Sequence, residues 1–261
     1  MGSRVAIGLA VAALLAVLAP FALAATLIGT DGPDELRGGA DADQIYAEGG
    51  DDLVSGGGGN DYLEAGPGDD VVDGGAGADL LIGGTGNDRL AGGDGADVIY
   101  AGAGDDLVLG EQGADTLFGQ AGDDRIFGGA GPDRIYASLG TDFVDGGSGA
   151  DWISAAAGNA TLIGGPGDDT ISATRGSFRV KGGPGDDLLR TGAGGDHVDG
   201  GPGRDVIETG AGNDVIDARD GERDRVRCGP GRDRVMADRF DVVRGCETVL
   251  RAGVRRGPRD D

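Results

Sequence analysis

A nine-residue period runs without insertion from Asp34 to Asp214, through 21 consecutive units. The aspartate slot holds Asp in 19 of them, with Ala160 and Phe178 as the exceptions. The residue two places earlier is glycine in 20, Asp41 being the exception. The residue two places later is Leu, Ile or Val in all 21, from Leu36 to Ile216. With 58 glycines in 261 residues and no three-residue period, composition alone would suggest a low-complexity chain. A disordered chain has no reason to hold an aliphatic register over that length, so the period overrides the composition. Such self-similarity makes each unit one piece of a stacked array.

Each unit reads G-G-x-G-x-D-x-U-x, with U aliphatic, as in GGAGADLLI from Gly74 to Ile82. On these in-phase copies the chain resembles the RTX, or haemolysin-type, calcium-binding repeat family, from Gly29 to about Asp217 and weakly on to Val243. In that family this motif is the repeat of a calcium-binding parallel β-helix. The resemblance implies an all-β fold, a right-handed parallel β-roll or solenoid with two repeats per coil. GGxGxD would form a turn and xUx a short strand whose central residue points inward. It also implies that each ion sits between two stacked turns and joins the aspartates of both.

A superperiod of 18 supports the two-repeat coil. The first slot is Gly at 38, 56, 74, 92, 110, 128, 146, 164, 182 and 200. On the alternate series it is Ala at 47, 65, 101, 137, 155 and 173, and Thr at 191 and 209. The two edges are therefore expected to be chemically distinct. One carries Asp34, Asp52, Asp70, Asp88, Asp106, Asp124, Asp142, Asp196 and Asp214. The other carries Asp43, Asp61, Asp79, Asp97, Asp115, Asp133, Asp151, Asp169, Asp187 and Asp205. If each stacked pair holds one Ca2+, seven pairs on the first edge and nine on the second set a ceiling of about 16 ions. The competing reading of the aspartates is simple turn capping. A unit with one buried aliphatic side chain gains little against the cost of ordering its glycines. Folding is therefore expected to depend on the metal.

Three features depart from the frame. Ala160 and Phe178 are 18 apart, so both faults fall on the first edge in adjacent coils, near Arg175, Arg179 and Lys181. They read either as a decayed ion site or as a binding notch. Tyr100, Phe118 and Tyr136, following Ile82, should stack in one outward column, with Trp152 in the neighbouring one. That column is either an aromatic ladder that braces the strands or an exposed patch for a glycan or protein partner. Beyond residue 218 the glycines thin out, and residues 219–250 read as a C-terminal cap of degenerate coils. Cys228 and Cys246, 18 apart and hence stacked, should form a disulfide between the last coils.

The ends set the compartment. Arg4, the apolar run from Val5 to Ala19 and Ala22-Leu23-Ala24 read as a secretory signal peptide over residues 1–24, a membrane anchor being the alternative. Export implies a secreted, extracellular protein, compatible with the disulfide. No membrane span is expected in the mature chain. Residues 251–261, RAGVRRGPRDD, read as a disordered basic tail. Residues 25–218 carry 9 bases and 37 acids, which argues against a nucleic-acid partner. Residues 219–261 carry 12 bases and 9 acids, and the arginines there read as surface charge paired with neighbouring acids. An enzyme is not expected. There is one histidine, His197, in an outward slot, and no G-x-S-x-G, P-loop or H-E-x-x-H motif. An accessory subunit of a secreted enzyme stays open as a further role.

Overall fold

The structure, a computed structural model, describes residues 24–251. It holds 26 strands, numbered β1 (Thr26–Thr30) to β26 (Thr248–Arg251) in chain order, and no helix among the described residues. Odd-numbered strands form one parallel sheet of 13 and even-numbered strands a second of 13. Each strand pairs with the one two places on, so the chain winds through one coil per pair of repeats. Register is i to i+18 through most of the stack, for example Leu81 with Ile99 and Ile99 with Leu117. The all-β parallel β-solenoid implied by the family resemblance is the fold observed.

Period-2 geometry explains the core. In each xUx segment the central residue turns inward and its two neighbours turn out. Leu63, Leu81, Ile99, Leu117, Ile135 and Ile153 from one sheet face Val72, Leu90, Val108, Ile126 and Val144 from the other, all fully buried. The core is a single column one aliphatic residue thick per strand. Most early strands run five to seven residues rather than three, because the ladder continues into the turn glycines. Gly57 pairs with Gly75, and Gly75 with Gly93. From β18 (Arg179–Lys181) on, strands shrink to three or four residues.

The two edges differ as the superperiod requires, with one correction. On the first edge the slot is not uniformly Ala or Thr, since Gly29, Gly83 and Gly119 occupy it in three coils. The alanines there (Ala47, Ala65, Ala101, Ala137) are fully buried and their methyls belong to the core. The faults at Ala160 and Phe178 do not interrupt the sheets. Leu162 and Val180 pair in register, and Phe178 is itself buried.

Toward the C-terminus the coil first lengthens, then tightens. Successive pairings span 18 residues, then 19 (Val206 with Arg225), 17 (Arg225 with Val242) and 14 (Arg234 with Thr248). Cys228 and Cys246 are disulfide-bonded with Cα atoms 5.2 Å apart, between adjacent coils. The signal-peptide reading lies outside the described residues except for Ala24. So does the tail, except for Arg251, which ends β26.

Candidate metal centre

The turn Gly74 to Asp79 shows why its residue types are needed. Gly75 and Gly77 have φ of 101° and 142°, a region closed to most side chains. Gly74 is extended, but a Cβ there would lie 2.5 Å from Gly92 O of the next coil and 2.7 Å from Asp79 Oδ2. The first glycine thus lets the carboxylate and a neighbouring carbonyl close over the backbone, and the other two make the bend.

The aspartate of each turn points inward along the edge. Asp61 N–H donates to Asp79 Oδ1 at 2.7 Å, and Asp79 N–H donates to Asp97 Oδ1 at 2.8 Å. The same link repeats on both edges, from Asp34 to Asp52 and from Asp43 to Asp61 onward. Every predicted aspartate from Asp43 to Asp214 is at most 4% exposed. The fit to a cation rests on the other oxygen. Oδ2 is buried and has no hydrogen-bond partner in 18 aspartates, among them Asp88, Asp124, Asp169 and Asp187. A buried carboxylate oxygen without a donor is costly, and columns of them one coil apart are costlier. Protonation or a hard cation relieves that cost, and Ca2+ takes such oxygens together with backbone carbonyls.

Burial shifts most of these groups upward. Desolvation raises Asp70, Asp79, Asp97, Asp115, Asp133, Asp142 and Asp205 to about 6. It raises Asp88, Asp124 and Asp169 to about 7 and Asp187 to about 8. The amide of the preceding aspartate pulls the other way, and like charges in adjacent coils add to the rise. No three His, Cys, Asp or Glu side chains converge on one point among the described residues. The carboxylates are strung in file, so two successive aspartates and turn carbonyls would have to share each ion.

The columns outrun the expected set. Asp224, Asp233 and Asp241 are buried and extend both ladders into the cap. Asp205 N–H donates to Asp224 Oδ1, Asp224 N–H to Asp241 Oδ1, and Asp214 N–H to Asp233 Oδ1. Glu247 Oε2 ends one column by accepting Asp233 N–H at 2.8 Å. The signal was present as Asp-x-Val at 224 and 233 and as DVV at 241, masked by lost glycines and an inserted residue. At the other end, Oδ2 of Asp34 and Asp43 accept turn amides of Thr30 and Gly39, each at 2.6 Å. The gap at Ala160 and Phe178 is bridged on one side only, by Phe178 N–H to Asp196 Oδ1 at 2.9 Å. A groove of about 290 Å3 lies beside it, lined by Asn159, Ala160, Phe178, Arg179 and His197 among others.

An outer ladder explains the paired acids. Asn87 N–H donates to Asp69 Oδ1 at 2.7 Å and Asp123 N–H to Asp105 Oδ1 at 2.8 Å, in exposed positions. The aromatic column forms as expected. Tyr100 and Phe118 stack at 4.6 Å and 3°, Phe118 and Tyr136 at 4.7 Å and 9°, and Trp152 tilts against Tyr136 at 4.9 Å. Stacking turns the ring faces toward one another and leaves the residues half-buried. The cap arginines are a correction. Of those from Arg219 on, only Arg219 forms an ion pair among the described residues, with Asp217. Strand register sets Arg225 between Val206 and Val242, Arg234 between Val215 and Thr248, and Arg227 between Arg244 and Glu208, whose carboxylate is held by Arg190. No helix of the described residues is long and apolar enough to cross a membrane.

A family model described as the RTX calcium-binding nonapeptide repeat matches in overlapping copies over residues 28–177 and 181–222. No match was found among curated proteins. With most of the chain matched and a carboxylate column on each edge of a parallel solenoid, this chain belongs to the RTX calcium-binding nonapeptide repeat family.

Proposed function

We propose that the protein is a secreted structural or cell-surface element whose folding is switched on by calcium outside the cell. The observation that carries this is the set of 18 buried aspartate oxygens without donors, in two columns. As carboxylates they oppose the fold, and with Ca2+ between successive turns they hold it together. Binding energy then becomes folding energy. A cytosol poor in calcium would leave the chain open for export, and the outside would close it. The aspartates from Asp34 to Asp214, joined by Asp224, Asp233 and Asp241, would serve as ligands with turn carbonyls. On this reading the chain catalyses nothing.

The stacked aromatic column supports the structural role over a partner-binding one. Tyr100, Phe118 and Tyr136 spend their ring faces on each other, so a sugar or base would meet only edges. The test is a calcium titration followed by circular dichroism and by ion count. Cooperative gain of β structure with many ions per chain is expected. Fewer than two bound ions, or the same spectrum in calcium and in chelator, would end the proposal.

A further inference from the structure

The outer face of the odd-numbered sheet changes character along the stack. Its last coils are β21 (Val206–Glu208), β23 (Arg225–Arg227) and β25 (Val242–Arg244). Parallel register sets Arg227 directly beside Arg244 and Arg225 beside Val242. Like charges placed directly opposite each other destabilise a strand pair. The Cys228–Cys246 disulfide, one residue past Arg227 and two past Arg244, holds these coils together. Glu208, the one acid on these three strands among the described residues, stands beside Arg227 in register and lines the groove, but its carboxylate is engaged by Arg190 at 3.0 Å. Arg223, Arg225, Arg227 and Arg244 are exposed and form no ion pair among the described residues. They rim an open groove of about 370 Å3 floored by Val206, Val226 and Val242.

We propose that this groove binds a linear anionic polysaccharide, with Arg225, Arg227 and Arg244 holding its carboxylate or sulfate groups. Guanidinium forks suit planar or tetrahedral oxyanions and accept them two oxygens at a time. The apolar floor suits the C–H face of a sugar ring. Strands about 4.8 Å apart repeat the arginines at close to the length of one sugar unit. A nucleic acid fits less well, because no aromatic ring lines the groove to stack a base. The proposal requires the folded chain but not the calcium reading of the edges. Circular dichroism in calcium therefore separates failure of the fold from failure of the groove.

The experiment measures affinity of the full-length chain, in calcium and at physiological salt, for polygalacturonate and dextran sulfate. Neutral dextran and a single-stranded oligothymidylate of matched charge serve as comparators. At least one polyanionic polysaccharide should bind. Arg227→Ala with Arg244→Ala should weaken it tenfold or more, and Arg219→Ala should leave it within twofold. Should the double alanine variant not fold, Arg227→Lys with Arg244→Lys keeps the charge, loses the fork, and should still weaken binding at least threefold. No binding to either polysaccharide, equal loss with Arg219→Ala, no loss in the folded pair variants, or equally tight binding of oligothymidylate or dextran overturns the proposal.

Discussion

The two edges of the solenoid carry the same motif but differ in what they tolerate. One runs from Asp43 to Asp205 with glycine in every first slot and an acid in every sixth. The other admits Ala or Thr in most first slots and loses its acid at Ala160 and Phe178. Both faults leave the pairing of Leu162 with Val180 intact. The aliphatic register therefore decides the fold, and the carboxylates decide what the fold needs in order to persist. The difference at the first slot has a local cause. Ala47, Ala65, Ala101 and Ala137 place their methyls in the core, whereas at Gly56 or Gly74, and at Gly83 on the same edge as those alanines, an aspartate oxygen and a carbonyl close over the glycine.

The broadest challenge to this comparison is removal of calcium. Both edges should fail together in chelator, with loss of nearly all β structure by circular dichroism. Survival of half the signal would mean that only one edge depends on metal.

Proton concentration is the next lever. Burial raises the folded-state pKa from 3.8 to about 6 at Asp79, about 7 at Asp88 and about 8 at Asp187. A raised acid binds protons more tightly in the fold than in the unfolded chain. Its contribution is full below the unfolded value and is lost as pH rises through the folded one. Metal-free chain should therefore show more β structure at pH 4–5 than at pH 8, with the loss spread between. Calcium-loaded chain should show the reverse, because ions compete with protons for the same oxygens. A calcium-free melting series across this range checks the sign.

Substitution at the first slot compares a closed turn with an open one. Gly74→Ala would set a Cβ 2.5 Å from Gly92 O and should cost about 1–3 kcal/mol in calcium. Ala65→Gly, on the tolerant edge, should cost about 1 kcal/mol, chiefly through backbone entropy and a lost methyl. Equal costs in a denaturant titration would show that these two turns are not packed differently.

Repair of the fault gives a smaller signal. Ala160→Asp restores a neighbour for Asp142 and should raise the bound calcium by one ion per chain, read by equilibrium dialysis. Unchanged stoichiometry would show that turns beside the fault cannot hold an ion. Smallest is Phe118→Ala, in the middle of the aromatic stack. It should cost about 0.5–1.5 kcal/mol beyond the loss of buried area and leave the ion count unchanged. A changed ion count would tie the sheet face to the edges.

Much of this architecture was legible because each level repeats. The aliphatic residue two places past each aspartate placed Leu36 through Ile216 in the core, and the 18-residue spacing of Cys228 and Cys246 paired them. The same frame hid what lay outside it. Asp224, Asp233 and Asp241 join the columns although the local spacing slips to 19 and then 17 residues. Register there follows backbone pairing, and the chain takes up the slack in its turns. The cap arginines misled for a related reason. Acids are their neighbours in sequence, but in parallel strands the neighbours are residues one coil away, and Arg227 meets Arg244 on one side and, on the other, Glu208, which Arg190 already holds.

What the sequence determined by itself was the period, and with it the two edges, the inward column and the calcium-type turn. Nine residues with one aliphatic, three glycines and one acid admit few other arrangements. What only the tertiary structure decided was which oxygen of each carboxylate is left without a partner. It also decided where first-slot methyls go and which charges stand alone on a face. Those outcomes depend on contacts between coils, where a residue's partner is 14 to 19 positions away and set by the length of the intervening turns.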